Sequence, residues 1–241
     1  MQDEVTLEVC VENGSRIDEL IGKKADRIEL CDNLAVGGTT VSYGVAENVI
    51  RRCHAAAAPV SPATPAAQVS PGGVEVPHRI RVMSMIRPRG GNFVYSSDEK
   101  SMMLRDIGVL RDLGTDGVVF GCLGSEGGLD KKTTAELIAQ AAGLDITFHM
   151  AFDLVRADEQ LDALNWLSCN GVTRILTHGS ADPKTSIFDN RQRLLQYVEA
   201  AAALPENRRI TILPGGGVTK ENVREVCAVL GVKEAHGTRI L

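Results

Sequence analysis

The sequence predicts a single-domain α/β protein with a (β/α)₈ barrel of the TIM type. Its strongest signal is a repeated motif, since Leu-Glu-Val-Cys at 7–10 returns as Ile-Glu-Leu-Cys at 28–31. One helix-length stretch, 15–24, lies between the copies, so the repeat indicates two parallel strands joined by a crossover helix. The alternation of strand and helix continues to an eighth strand. A chain of 241 residues with 44% hydrophobic content is large enough to form one such barrel.

Six further strands are expected after the first two, at 80–86, 117–123, 146–152, 174–177, 210–213 and 234–236. After the first helix, helical patterns lie at 42–52, 99–113, 131–142, 159–170, 190–203 and 220–230. Gly114, Gly143, Gly171 and Gly231 follow four of these helices, as is typical of a helix C-terminus. A doubly wound open sheet is the alternative, but it would not usually need eight regular units.

Two segments depart from the regular pattern. Residues 55–77 are rich in alanine, proline and serine and have no periodicity, which predicts a disordered surface insertion between the second helix and the third strand. The sequence stops at Leu241, shortly after the eighth strand. We therefore expect either that the final helix of a closed barrel is missing or that the last seam of the barrel is covered in another way.

Composition narrows the possible partners and the location. A net charge of -5, with no basic run and 4% aromatic residues, argues against a nucleic-acid surface. No apolar stretch is long enough for a membrane span and the N-terminus does not begin a signal peptide, so we expect a cytoplasmic protein. None of the six cysteines has Cys-x-x-Cys spacing, which favours free thiols. Cys122, Cys169 and Cys227 fall in apolar surroundings and are expected to be buried.

The polar faces of the strands predict a polar barrel lumen. Residues i and i+2 of a strand share a face, and the apolar faces should pack under the helices. The side chains then expected in the lumen are Glu8, Cys10, Glu29, Cys31, Arg87, His149 and Asp153. Of these, Glu8, Glu29, His149 and Asp153 are candidate catalytic groups for acid–base chemistry. Because buried charges need partners or a ligand, we expect Arg87 to pair with at least one of the three carboxylates.

Three glycine-containing loops should open onto the same face of the barrel. They lie at 37–40, at 87–91 and at 214–217. A glycine loop that leads into a helix can present backbone N–H groups to an anion, and the loops after strands seven and eight often bind phosphate in barrels. A tight turn explains the glycines about as well. The residues expected to bind an anion are Arg87, Arg89, Gly215, Gly216 and Gly217.

Several stretches, taken together and in order, resemble the CutC family, known as copper homeostasis proteins. They are LEVCVE (7–12), ADRIELC (25–31), GGTT (37–40), IRPRGGNFVYS (86–96), TFHMAFD (147–153), RILT (174–177) and PGGGV (214–218). The resemblance covers nearly the whole chain outside 55–77. It implies a TIM-type barrel, a cytosolic location, homo-oligomers and a copper(I) site at the positions of Cys10 and Cys31.

Two functions remain open at this point. Copper(I) prefers soft ligands, and Cys10 and Cys31 on neighbouring strands could share one ion, with thioethers from Met83 and Met85 and an imidazole from His149 nearby. Two small buried thiols without a ligand are the structural alternative. The second function is an enzyme that acts on a small anionic or phosphorylated substrate, with the lumen carboxylates and His149 as acid–base groups.

Overall fold

A computed structural model describes residues 5–55 and 78–241. The segment expected to form an insertion, 55–77, lies outside the described residues except for Ala55, which ends a helix.

Strands and helices alternate through the described residues. The strands are β1 Thr6–Glu12, β2 Arg27–Cys31, β3 Arg81–Met85, β4 Gly117–Phe120, β5 Asp145–Phe148, β6 Arg174–Thr177, β7 Thr211–Pro214 and β8 Glu234–Gly237. The helices are α1 Ile17–Gly22, α2 Tyr43–Ala55, α3 Ser97–Asp112, α4 Lys131–Gln140, α5 Gln160–Cys169, α6 Arg191–Ala202 and α7 Val223–Leu230. In this part of the chain no α-helix follows β8, and no helix is long and apolar enough to cross a bilayer.

The eight strands form one parallel sheet in the order β7-β6-β5-β4-β3-β2-β1-β8. This order curls the sheet into a nearly closed barrel and confirms the predicted TIM-type fold. The ladder ends at β7 and β8. Just beyond this seam, the backbone N–H of Lys220 donates to the carbonyl oxygen of Arg239 at 2.9 Å.

The main apolar core lies between the outer face of the barrel and the helices. Alternate strand residues such as Val9, Ile28 and Val82 are completely buried there. Their neighbours in sequence, which include Cys10 and Met83, form a separate buried cluster inside the barrel. The alternation seen in the sequence therefore sorts each strand into a helix-facing side and a lumen side.

Three strands end earlier than the sequence predicts, β3 by a single residue and β4 and β5 by more. β5 stops at Phe148, because His149 Nδ1 accepts a hydrogen bond from the backbone N–H of Ala151 at 3.2 Å and opens a short 3₁₀ helix, Met150–Leu154. β4 stops at Phe120. The turns that follow these strands, and not the strands themselves, therefore determine the orientation of the side chains at the strand ends.

The six cysteines are free thiols, and five of them are buried. The prediction that Cys169 is buried was wrong. It is the last residue of α5 and is exposed, with its Sγ accepting a hydrogen bond from Arg208 Nη1 at 3.3 Å.

Candidate functional site

The floor of the lumen is a network of paired charges. Arg27 Nε donates to Glu8 Oε2 at 2.5 Å, and its Nη2 donates to Glu234 Oε2 at 2.5 Å. Arg174 also holds Glu234, at 2.9 Å, and reaches Asp145 at 2.9 Å. Arg27 and Glu8 are almost completely buried, so each charge depends on the other. The network links β1, β2, β5, β6 and β8 across the barrel.

Above this floor, two thiols and two thioethers meet on one side of the lumen. Cys10 of β1, Cys31 of β2, and Met83 and Met85 of β3 form one buried cluster with Val119 of β4. Cys10 is 8% exposed and Cys31 is completely buried. The parallel register sets Cys10 beside Glu29, so the two cysteines lie diagonally on neighbouring strands.

Gly38 allows the loop after β2 to lie against this sulfur cluster. A Cβ atom at Gly38 would lie 3.1 Å from Cys31 Sγ, and the residue has a φ of +87°. Both conditions favour glycine, so the Gly-Gly-Thr-Thr stretch closes one side of the cluster without filling it.

His236 of β8 joins this cluster, although the sequence did not indicate a role for it. Its Nδ1 lies 2.8 Å from Glu8 Oε1 and its Nε2 lies 3.1 Å from Glu29 Oε2. Ligand atoms of Cys10, Glu29 and His236 all lie within 4.8 Å of one another, and all three residues are buried. The only sequence signal for His236 was its place between small residues in the eighth strand.

These close contacts set the protonation of the cluster. Burial alone would raise the pKa of Glu8, but His236 and Arg27 lower it to about 2. A hydrogen bond with Cys31, opposed by burial and aided by His236, lowers the pKa of Cys10 to about 5. Burial opposes protonation of His236, yet Glu29, Cys10 and Glu8 together raise its pKa well above the usual value. At neutral pH the lumen therefore carries a Cys10 thiolate beside an imidazolium.

The pKa values of Glu29 and Cys31 are raised in the same cluster, which favours their neutral forms. Burial, followed by the negative charge of Cys10, raises the pKa of Glu29 well above its ordinary value. The hydrogen bond with Cys10, together with burial, raises the pKa of Cys31 in the same way. The pKa values of the two cysteine thiols are thus shifted in opposite directions, so the two cysteines are inequivalent.

The prediction that Arg87 pairs with a lumen carboxylate was wrong. Its guanidinium donates to the carbonyl oxygens of Val36, Gly38 and Gly91 at 2.8–2.9 Å, and Arg87 has no carboxylate partner among the described residues. Glu8 takes Arg27 as its cation instead. The partner of Arg87 depends on how two loops fold back over the strand end, which the strand pattern does not encode.

The other residues expected to bind an anion are also partly engaged. Arg89 forms an ion pair with Glu99 at 2.5 Å and donates to nearby carbonyl oxygens. Gly216 and Gly217 have positive φ, and the Gly217 carbonyl accepts a hydrogen bond from Asn222 at 2.9 Å. The following helix, α7, begins at Val223, later than expected. A role for Gly215, Gly216 and Gly217 in binding an anion stays a prediction.

His149 and Asp153 come from the far side of the barrel and do not join the cysteine cluster. Asp153 accepts hydrogen bonds from the Thr177 hydroxyl and from the backbone N–H groups of His178 and Gly179, so it orders the turn after β6. His149 is buried, and its Nε2 has no hydrogen-bond partner among the described residues. Burial lowers the pKa of His149 to about 3, which keeps it neutral.

Comparison with known proteins gives one consistent result. The model of the CutC family matches residues 5–241. A CutC family protein from Enterococcus faecalis is 45% identical over 236 residues, which are 97% of this chain and 99% of that protein. The human protein named copper homeostasis protein cutC homolog is 35% identical over 230 residues, covering 95% of this chain and 71% of the human protein.

Solved structures agree with the fold. The crystal structure of a copper homeostasis protein CutC from Streptococcus agalactiae has a TM-score of 0.84 and 38% identity, and it covers 98% of this chain and 100% of that one. Dihydrodipicolinate synthase from Bacillus clausii is similar with a TM-score of 0.57 and 14% identity, covering 96% of this chain and 68% of the synthase. The second likeness reflects the shared barrel alone.

Proposed function

We propose that this chain, which belongs to the CutC family, takes part in copper homeostasis by binding copper(I) inside the barrel. The observation that carries this proposal is the buried cluster of Cys10, Cys31, Met83 and Met85. Copper(I) prefers thiolate and thioether ligands, and four sulfur side chains on one side of a lumen offer both. The name of the human homologue points to the same role.

Cys10 and Cys31 are the proposed ligands. The Cys10 thiolate needs no further deprotonation at neutral pH, whereas the Cys31 thiol would release a proton when the ion binds. His236, whose ligand atom lies within 4.8 Å of that of Cys10, is available as a nitrogen ligand once it loses its own proton. Burial of the cluster would shield copper(I) from water.

A reducing compartment fits this chemistry. All six cysteines are free thiols, and a pair of thiols ready for copper(I) would persist best in the cytoplasm. Membership of the family also implies a homo-oligomer, which light scattering on the purified protein would test.

The test is a copper(I) competition titration under reducing conditions. The Cys10→Ser, Cys31→Ser double variant should lose one bound equivalent while keeping its circular dichroism spectrum. The Cys122→Ser, Cys227→Ser double variant is the matched control, because it removes two buried thiols of the main apolar core that lie outside the lumen cluster. Equal copper(I) binding by wild type and the Cys10, Cys31 variant would refute the site.

A second candidate function is an enzyme that acts on a small anionic or phosphorylated substrate. The observation in its favour is His236, held between Glu8 and Glu29 with the Cys10 thiolate in the same cluster. An imidazolium fixed by two carboxyl groups is suited to donate a proton. Native mass spectrometry of the protein as purified separates the two functions. A copper mass lost in the cysteine variant supports the first, and an organic anion lost in His236→Gln supports the second.

A further inference from the structure

Three buried polar atoms near the mouth of the barrel have no hydrogen-bond partner among the described residues. They are His149 Nε2, Thr147 Oγ1 and Arg87 Nε. Their residues are at most 4% exposed. Leaving a buried donor unpaired costs about 1–3 kcal/mol, so three such atoms in one region call for an acceptor that binds there.

Thr147 and His149 come from the same face of one chain segment. Thr147 lies on β5 opposite Val119 of β4, and Val119 belongs to the lumen cluster. His149 follows two residues later, where β5 ends. The His149 ring lies against Gly121, two residues after Val119 in sequence, so both side chains belong to the same part of the lumen wall.

The proton of the His149 side chain is fixed by the turn that follows it. Nδ1 accepts the backbone N–H of Ala151 at 3.2 Å, so in the neutral ring the proton is on Nε2. The unpaired atom is therefore a donor. Gly121 makes room for this ring, because a Cβ atom there would lie 2.6 Å from Nδ1.

Arg87 adds an uncompensated positive charge close by. Its guanidinium carbon lies 4.7 Å from the centre of the Phe93 ring, and the same ring lies 4.8 Å from the His149 ring. The Arg87 guanidinium donates to three backbone carbonyl oxygens and interacts with the Tyr95 side chain, but it has no carboxylate partner among the described residues. A buried cation without a counter-ion favours an anionic ligand. Arg87, Thr147 and His149 are almost completely buried, so the ligand must be small.

We propose that this part of the lumen wall is a binding site for a small carboxylate. His149 Nε2 and the Thr147 hydroxyl donate hydrogen bonds to the carboxylate oxygens, and Arg87 balances their charge. A carboxylate supplies two acceptor oxygens and one negative charge, which match two donors and one cation. The site lies just beyond β3 and at the end of β5, whereas the cysteines proposed as copper ligands lie on β1 and β2, so it does not depend on the copper proposal.

The test uses sodium acetate as the probe and histidine side-chain NMR as the readout. Acetate added to the wild-type protein at constant ionic strength should shift the His149 Nε2 signal in a saturable way. Thr147→Val keeps the shape of the side chain but removes the hydroxyl, and it should weaken acetate binding about tenfold or more, the loss expected for a hydrogen bond to a charged group. Thr147→Ser keeps the hydroxyl and should retain binding.

Thr134→Val is the matched control. Thr134 also has a buried hydroxyl without a partner among the described residues, but it lies on α4. It should bind acetate as the wild type does. The proposal is overturned if acetate gives no saturable shift, if chloride gives the same shift, or if Thr147→Val binds acetate as tightly as wild type. A crystal grown in acetate that holds only water at these donors would overturn it as well.

Discussion

Glu8 and His236 are 228 residues apart in sequence, yet Glu8 Oε1 lies 2.8 Å from His236 Nδ1. The contact exists because β1 pairs with β8 in a register that sets these two residues side by side. Glu8 also accepts a hydrogen bond from Arg27, so one buried carboxylate joins the charged floor of the barrel to the histidine beside Cys10. A substitution of Glu8 should therefore affect both the stability of the barrel and the protonation of the lumen cluster.

The first prediction concerns the acid stability that Glu8 provides. Its pKa is lowered from 4.5 to about 2 in the folded protein, so its contribution is complete above pH 4.5 and is lost as the pH falls towards 2. Glu8→Gln should remove the part of the pH dependence in this window. Urea unfolding at a series of pH values measures it, and Glu47→Gln, an exposed position on α2, is the control. An unchanged slope in Glu8→Gln would contradict the assignment.

The second prediction concerns Arg27, which holds Glu8 and Glu234. Arg27→Met leaves a completely buried carboxylate without its cation and should lower the free energy of unfolding by about 3–5 kcal/mol. Lys23→Met removes an exposed pair with Glu19 and should cost about 1 kcal/mol or less. Chemical denaturation compares the two variants. If both lose the same small amount, the floor network does not stabilise the barrel.

The sequence was informative where a residue's role follows from its own strand. Glu8 and Cys10 face the lumen because their neighbours Leu7 and Val9 are apolar, and an apolar face must pack under helices. The repeated motif extends this to β2, and eight alternations of strand and helix predict the barrel. These features depend on local periodicity, which is visible without a structure.

The sequence was uninformative where a role depends on register or on a turn. His236 became important only through the pairing of β8 with β1. The sequence predicted a carboxylate partner for Arg87, but its guanidinium donates instead to the carbonyl oxygens of Gly38 and Gly91 in two loops. The carboxylate oxygens of Asp153 accept hydrogen bonds from backbone N–H groups in the turn after β6, so Asp153 does not join the cluster around Cys10. No periodic pattern specifies these long-range contacts.

The third prediction contrasts two glycines. At Gly121 an added Cβ would lie 2.6–2.7 Å from the His149 ring, so Gly121→Ala should lower the free energy of unfolding by about 1–3 kcal/mol and should shift the His149 NMR signals. At Gly44, on α2, an added Cβ meets nothing within 4 Å, and Gly44→Ala should stabilise by about 0.4–1 kcal/mol. Thermal unfolding ranks both variants against wild type. A stabilised Gly121→Ala would show that the imidazole does not occupy this space.

The last prediction tests whether the thioethers take part in the proposed copper(I) site. Leucine is close to methionine in volume but lacks sulfur, so Met83→Leu with Met85→Leu should keep the fold at a cost of less than about 1.5 kcal/mol for each substitution. If a thioether completes the coordination by Cys10 and Cys31, the double variant should bind copper(I) about tenfold more weakly, equivalent to about 1.4 kcal/mol. Met103→Leu on α3 is the control, because that methionine is just as buried but faces the helical core. A competition titration against a copper(I) chelator measures all three proteins. If copper(I) affinity stays at the wild-type value in the Met83, Met85 variant and falls only when the cysteines are replaced, the ion is held by thiolates alone and the thioethers serve as packing.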